Sequence, residues 1–287
     1  MFGRSVGWLS AAFLVTILVT MTGGLTSPAA ADKPAPVTVS VLPDRLSVLA
    51  APCGTRWIDL TITNTTSQPR YVDVYITPES PVHTSHDQIS TYLPPDRSVE
   101  ARVQISADTD APVGTYDVSF RVGPRGPGQA TVPVTVTPRP TGPGANLALG
   151  GPAEASSTHG NFSACGAFDG NTNHDDWSTA TGWNDGTSGV FPDWLAVRFP
   201  KPQQVSRVVA HTLDSSRYPA ARYGLKDWDV QVLTEGEWQT VAQVRGNTTG
   251  VVTSTFEPVT TSAVRISALA SNDATYSRLV ELEVYAD

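Results

Sequence analysis

Residues 161–177 read NFSACGAFDGNTNHDDW, a polar run built around an Asp-Gly-Asn turn and closed by a Trp. Carboxylate, amide and main-chain oxygens together make the donor set of a Ca²⁺ ion, which takes six to eight hard oxygen ligands. Asp, Gly and Asn are also the ordinary residues of surface turns. Spacing alone therefore leaves two readings open, a cation loop and an Asx-rich turn that holds nothing. A second polar cluster, His83, His86 and Asp87 in HTSHD, suggests a transition metal. Zinc needs three or four convergent ligands, and no further His lies nearby, so this cluster reads as a solvated loop.

The elements that must position these residues are strands. Residues 37–41, 57–63, 71–76, 99–105, 116–122 and 131–136 alternate apolar and polar side chains, separated by turns such as Pro94-Pro95-Asp96. Period-two alternation without helical periodicity predicts an antiparallel β-sandwich over 32–137. The stretch APVGTY at 111–116 resembles the end of immunoglobulin-like spacer domains in bacterial secreted glycosidases, which implies an immunoglobulin-like sandwich acting as a spacer. Residues 138–145, PRPTGPGA, are a Pro/Gly connector. From 146 to 287 a second set of strand-like runs (194–199, 205–213, 228–233, 238–244, 251–256, 264–269 and 280–285) predicts another all-β sandwich, of the jelly-roll kind with long loops at one end.

The first 31 residues carry one charge, Arg4, then an apolar run over 6–21 and a small-residue exit ending at Ala31. That order is expected of a signal peptide cleaved after Ala31; an uncleaved anchor is the alternative, since about 20 apolar residues can cross a bilayer. Cleavage leaves 256 of the 287 residues and, with Arg4 gone, moves the net charge from −8 to −9. An acidic chain without a Lys/Arg cluster is poorly matched to a polyanion, so nucleic acid is not an expected partner. The expectation is a secreted, extracellular monomer. Export permits a disulfide between Cys53 and Cys165, one in each half; two buried thiols are the alternative.

In the second half the motifs NLALGGPAEASS, ACGAFDGN with a following Trp-Ser, DWLAVRF, VSRVVAH, LKDWDVQV, AVRIS and VELEVY occur in order. Together they resemble the coagulation factor V/VIII type C, or discoidin-like, domain, closest to its bacterial sugar-binding branch, the family 32 carbohydrate-binding modules. The resemblance implies a structural Ca²⁺ that pins an early loop to the last strand. Carried onto this chain, its ligands are Asp169, Asn171 and Glu281. The spacing between Asn171 and Trp177 is one residue longer than usual, and Asp175, with Asp176 close behind, stands near the position usually held by Thr.

The resemblance also implies a glycan held by loops at one end of the sandwich. A pyranose calls for an aromatic plate beside charged or amide hydrogen-bonders. Three loops offer them: Trp183 before residue 194; Asp214, Arg217, Tyr218 and Arg222-Tyr223; and Asn272, Tyr276 and Arg278. Trp183 or Tyr276 is expected to stack, with Asp214, Arg217 and Asn272 reaching hydroxyls, and Trp177, Trp194, Trp228 and Trp238 are expected in the core. Catalysis is not expected, since glycoside hydrolysis needs two carboxylates facing across a cleft and no Gly-x-Ser-x-Gly elbow occurs. The alternatives are a protein or surface adhesion module, or an accessory part of a glycoside hydrolase; membrane binding is not expected, with Val190-Phe191 as the only apolar loop spike.

Overall fold

The computed structural model describes residues 35–124 and 128–286; the expected export signal lies outside them. The first sandwich has two sheets. One runs β1 (Val37–Leu42), β3 (Arg56–Asn64), β7 (Ser98–Ala107) and β5 (Val82–Thr84), antiparallel throughout. The other runs β2 (Leu46–Leu49), β9 (Gly128–Thr137), β8 (Gly114–Val122), β4 (Arg70–Pro78) and β6 (Gln88–Leu93), with β2 parallel to β9. Alternation explains the pairing. Ile58, Leu60, Ile62, Val103 and Ile105 face Val72, Val74, Val118, Phe120 and Val134 across a dry interior, while the intervening residues face outward.

The second sandwich is one curled sheet in the order β11 (Trp183–Asn184), β16 (Arg278–Tyr285), β12 (Asp193–Thr212), β15 (Val251–Ser271), β13 (Leu225–Thr234) and β14 (Glu237–Val244). A short β10 (Ala153–Ala155) adds to β12. β12 and β15 each merge two of the runs expected from sequence. Both continue past a Pro, and register shifts at Arg198/Gln203 and Val205/Arg207 bend the ladder. A bulge that bends a strand lets the sheet fold over its own core, here Phe168, Trp183, Leu195, Val197, Trp228, Val230, Leu282 and Val284. Of the four Trp expected inside, only Trp228 is fully buried. Trp194 and Trp238 instead flank Arg265.

The halves meet through more than the connector. Cys53 and Cys165 form a disulfide, the Cys53 amide donates to Gly150 O (3.1 Å), and Arg56 Nη2 donates to Asp169 O (2.7 Å). Arg139, in the connector, donates to the carbonyls of Leu147 and Leu149. Two Asn of N-glycosylation sequons are structural. Asn64 Nδ2 donates to the Gln68, Leu93 and Pro94 carbonyls, and Asn247 Nδ2 to those of Leu225 and Thr249. Both are buried, so a glycan at either would displace these bonds.

The disulfide closes a span of 112 residues. Replacing both cysteines with Ser is expected to lower stability by about 2–5 kcal/mol, because the cross-link restricts the unfolded chain. Denaturant unfolding of the full chain with and without the bridge measures it; equal midpoints would overturn it.

Candidate functional site

The polar loop begins with a 3₁₀ turn, Ala164–Phe168, capped by Ser163, whose Oγ accepts from the Cys165 amide. Gly166 makes the turn fit. Its amide neighbour across the loop, Gly182 N, donates to Gly166 O at 2.7 Å, and a Cβ on Gly166 would fall 2.2 Å from Gly182 O. The chain then turns at Asp169-Gly170-Asn171, with Asp169 Oδ1 accepting from the Asn171 amide (2.7 Å) and Gly170 at φ +81. Gly170 N donates to Glu281 Oε1 at 3.1 Å, so the turn is seated directly on β16.

Glu281 is 0 % exposed, and its Oε2 has no hydrogen-bond partner among the described residues. Burial raises its carboxyl well above the usual range, and the charge of Asp169 adds to the rise. Burial likewise raises Asp169 to about 6, against the opposing pull of its bond from Asn171 and of Arg56. A buried carboxylate oxygen with no partner is costly. Two acids held together with one oxygen unpaired suit a hard cation. Among the described residues no three acidic, His or Cys side chains share a point, so amide and carbonyl oxygens would complete the shell, as Ca²⁺ permits.

The other two expected ligands are differently placed. Asn171 Oδ1 accepts from the Asn173 amide (2.9 Å) and keeps one lone pair, while its Nδ2 donates to Asp176 Oδ2 (3.0 Å). Asp175 is not in the cluster. It is exposed, and its Oδ1 accepts from both Ser216 N and Ser216 Oγ (2.9 Å each). Those bonds, the backbone one foremost, hold its carboxyl below the usual range. The extra residue after Asn171 carries Asp175 outward to the 214–224 loop and leaves Asp176 as the nearer acid, close enough for its charge to act on Asp169.

At the loop end of the sheet the expected sugar contacts separate into struts and presented groups. Trp183 is a correction. It is 0 % exposed, pairs with Leu279 and donates Nε1 to Ser157 O (3.0 Å), so it offers no plate. Asp214 Oδ1 accepts from Ala220 N at the start of α1 (Ala220–Tyr223). Asn272 Nδ2 bridges the carbonyls of Ala220 and Asn247. Arg278 Nη1 donates to Tyr223 O and to Asp273 Oδ2 (2.9 Å), with the paired side chains only 11 % and 15 % exposed. These three tie the loops to one another. Beneath them Asp185 accepts from Ser277 N and Thr187 N, and Asp193 from Ser277 Oγ. Burial, more than the nearby Asp185 charge, raises Asp193.

Tyr276, Arg217 and Tyr218 remain presented. The Tyr276 ring meets His159 edge-on at 5.3 Å with the Arg278 guanidinium 5.4 Å from its centroid. Tyr218 stands edge-on to Tyr223, with Arg217 over Tyr218 and Arg222 over Tyr223. From His159 an aromatic row continues through Phe162 to Trp177, which is half-buried rather than in the core. In the loop before β12, Val190 is 61 % exposed, while Phe191 turns partly inward.

The sequence profile of the F5/8 type C domain matches residues 152–282. Those residues belong to the F5/8 type C family. Similar solved structures include chitosan-binding module 1 of a chitosanase/glucanase from Paenibacillus sp. IK-5, at 31% identity and TM-score 0.40, covering 49% of this chain and 98% of that one. The family 32 module of C. perfringens NanJ, solved with galactose, is 25% identical, with TM-score 0.40, 47% of this chain and 92% of that one covered. The family 32 module of Streptococcus pneumoniae EndoD is 22% identical, with TM-score 0.42 and coverages of 50% and 100%. No curated protein matches the chain.

Within this F5/8 type C domain, the sequence reading missed His159 and Phe162 as members of the loop-end surface. The usable signal was the aromatic pair in HGNF just ahead of the polar loop. The domain's loop end depends on Arg278. Arg278→Ala leaves Asp273 half-buried without its cation and is expected to cost about 2–4 kcal/mol. Urea unfolding checks this; a change below about 0.5 kcal/mol would refute the strut assignment.

Proposed function

We propose that the chain is an exported, non-catalytic protein whose F5/8 type C domain binds glycan at its loop end and whose polar loop is clamped by a structural Ca²⁺. The observation that carries the sugar reading is the Tyr276 ring, backed by Arg278 and edged by His159, with Arg217 and Tyr218 on the adjoining loop. A ring face offers a partner to the C–H face of a pyranose, and guanidinium groups donate strongly to its hydroxyls. The struts keep the loops in one arrangement before any sugar arrives, which lowers the ordering cost of binding.

Asp169 and Glu281 are the carboxylates that would hold the cation, with Asn171 Oδ1 and main-chain oxygens of the turn as further donors. Bound Ca²⁺ would neutralise the two acids and tie residues 169–171 to β16 without needing an open coordination position. Hydrolysis is not part of the proposal. Asp214 and Asp273, the pair nearest the loop end, are occupied with Ala220 N and with Ser271, Thr275 and Arg278.

A glycan array probed with the full chain, with and without EDTA, tests the sugar reading. Binding to at least one oligosaccharide, lost in Tyr276→Ala, is expected, and an array with no bound glycan in either condition would refute it. For the cation, Ca²⁺ is expected to raise the melting temperature of the wild-type chain and to leave Asp169→Ala unmoved. An equal rise in both would remove Asp169 from the ligand set.

A further inference from the structure

The junction of the two halves encloses a cleft of about 480 Å³, separate from the loop end. One wall comes from the first sandwich: Arg56, Trp57 and Asp59 of β3, and Arg102 of β7. The other comes from the polar loop, with Asp169, Gly170, Asn171, Ala180 and Thr181, the Asp169 carboxyl lying opposite the Arg56 guanidinium in charge. Small-ligand sites span about 300–1,000 Å³ and form preferentially between domains. We propose that this cleft is a second sugar-binding site, for a neutral or N-acetylated sugar unit, that neither half could form alone.

The chemistry of the first wall carries the argument. Trp57 alternates outward from the core-facing Ile58, is half-buried, and its indole N–H has no partner among the described residues. Asp59 and Arg102 are cross-strand partners joined through Nε and Oδ1 (3.1 Å). Neither Nη atom of Arg102 nor the second oxygen of Asp59 makes another bond among the described residues. The wall therefore sets an aromatic face beside two donors and an acceptor, the mix that a ring with vicinal hydroxyls uses. Because the two charges offset each other, the pair selects for hydroxyl and amide groups over an anion.

The walls are also fixed in advance. Arg56 is drawn across the junction, donating Nη1 to Thr55 O (2.8 Å) and Nη2 to Asp169 O (2.7 Å). Thr55 in turn accepts from Gln104 Nε2 (3.1 Å), and the Cys53–Cys165 bridge joins the two halves covalently. A cleft held by a covalent bond and a guanidinium bridge loses little freedom when a ligand enters.

This site goes beyond the loop-end reading and can fail independently of it. The full chain carrying Tyr276→Ala, which silences the loop end, is placed on an array of neutral and N-acetylated oligosaccharides, and its best ligand is titrated calorimetrically. Adding Trp57→Ala or Arg102→Ala is expected to weaken that ligand about tenfold, with Trp57→Phe retaining most of the affinity. Arg102 is half-exposed, so its variant keeps the melting temperature and decides the matter if Trp57→Ala unfolds. If Tyr276→Ala abolishes all binding, or if both cleft variants bind as their parent does, the cleft is not a sugar site. In the first case the loop-end reading stands. If only the cleft variants lose binding, the loop-end reading falls and this one stands.

Discussion

The buried carboxylate of Glu281 is the constraint to which the surrounding structure answers. An acid fully buried on a strand must be neutralised by a proton, a cation or donors brought to it. The chain brings the Gly170 amide to one oxygen and leaves the other unpartnered. The turn at 169–171, the glycine contact behind it and the guanidinium from the first sandwich all converge on that point. Asp169, placed beside a second acid, makes the electrostatic demand greater. Such an arrangement is intelligible if a divalent cation completes it, which is the reading proposed here.

From that point rigidity passes outward. Asp175 reaches from the polar loop to Ser216, Asp214 holds α1, and Asn272 and Arg278 draw the last loop onto it. Acidic, amide and guanidinium groups that resemble sugar contacts in one dimension thus serve as internal ties. The groups that face outward are those with little else to bond: Arg217, Tyr218, Tyr276 and His159. A hydrogen-bonding side chain on a loop has to satisfy the main-chain groups that the loop exposes before it can serve a ligand.

The strands were legible because period-two alternation is imposed by burial of one face, and every run expected from sequence lies within an observed strand or reaches its end. What could not be read was continuity. Pro200 and Pro258 look like breaks, yet the ladder tolerates them at bends, and four expected runs became two long strands. Trp183 was misplaced for a related reason. Between Gly182 and Asn184 it has the neighbours of a loop residue, and only pairing with Leu279, far along the chain, buries it. That Asp169 and Glu281 lie together was legible because their motifs resemble a family. Asp175 was not, because one additional residue alters which way a side chain leaves a tight turn. The cleft residues carried no signal at all: Trp57 and Arg102 gain meaning only from the second half folding against them.

The bridge between Cys53 and Cys165 gives the molecule two covalent routes from one sandwich to the other, the second being the Pro/Gly connector at 138–145. Tension applied to a ligand gripped by the C-terminal sandwich would be shared between these parallel tethers. The connector alone could stretch and swivel under such a load; with the bridge intact, the junction resists both. Such a pull would therefore enter the first sandwich at two points, beside the start of β3 through Cys53 and at the end of β9 through the connector.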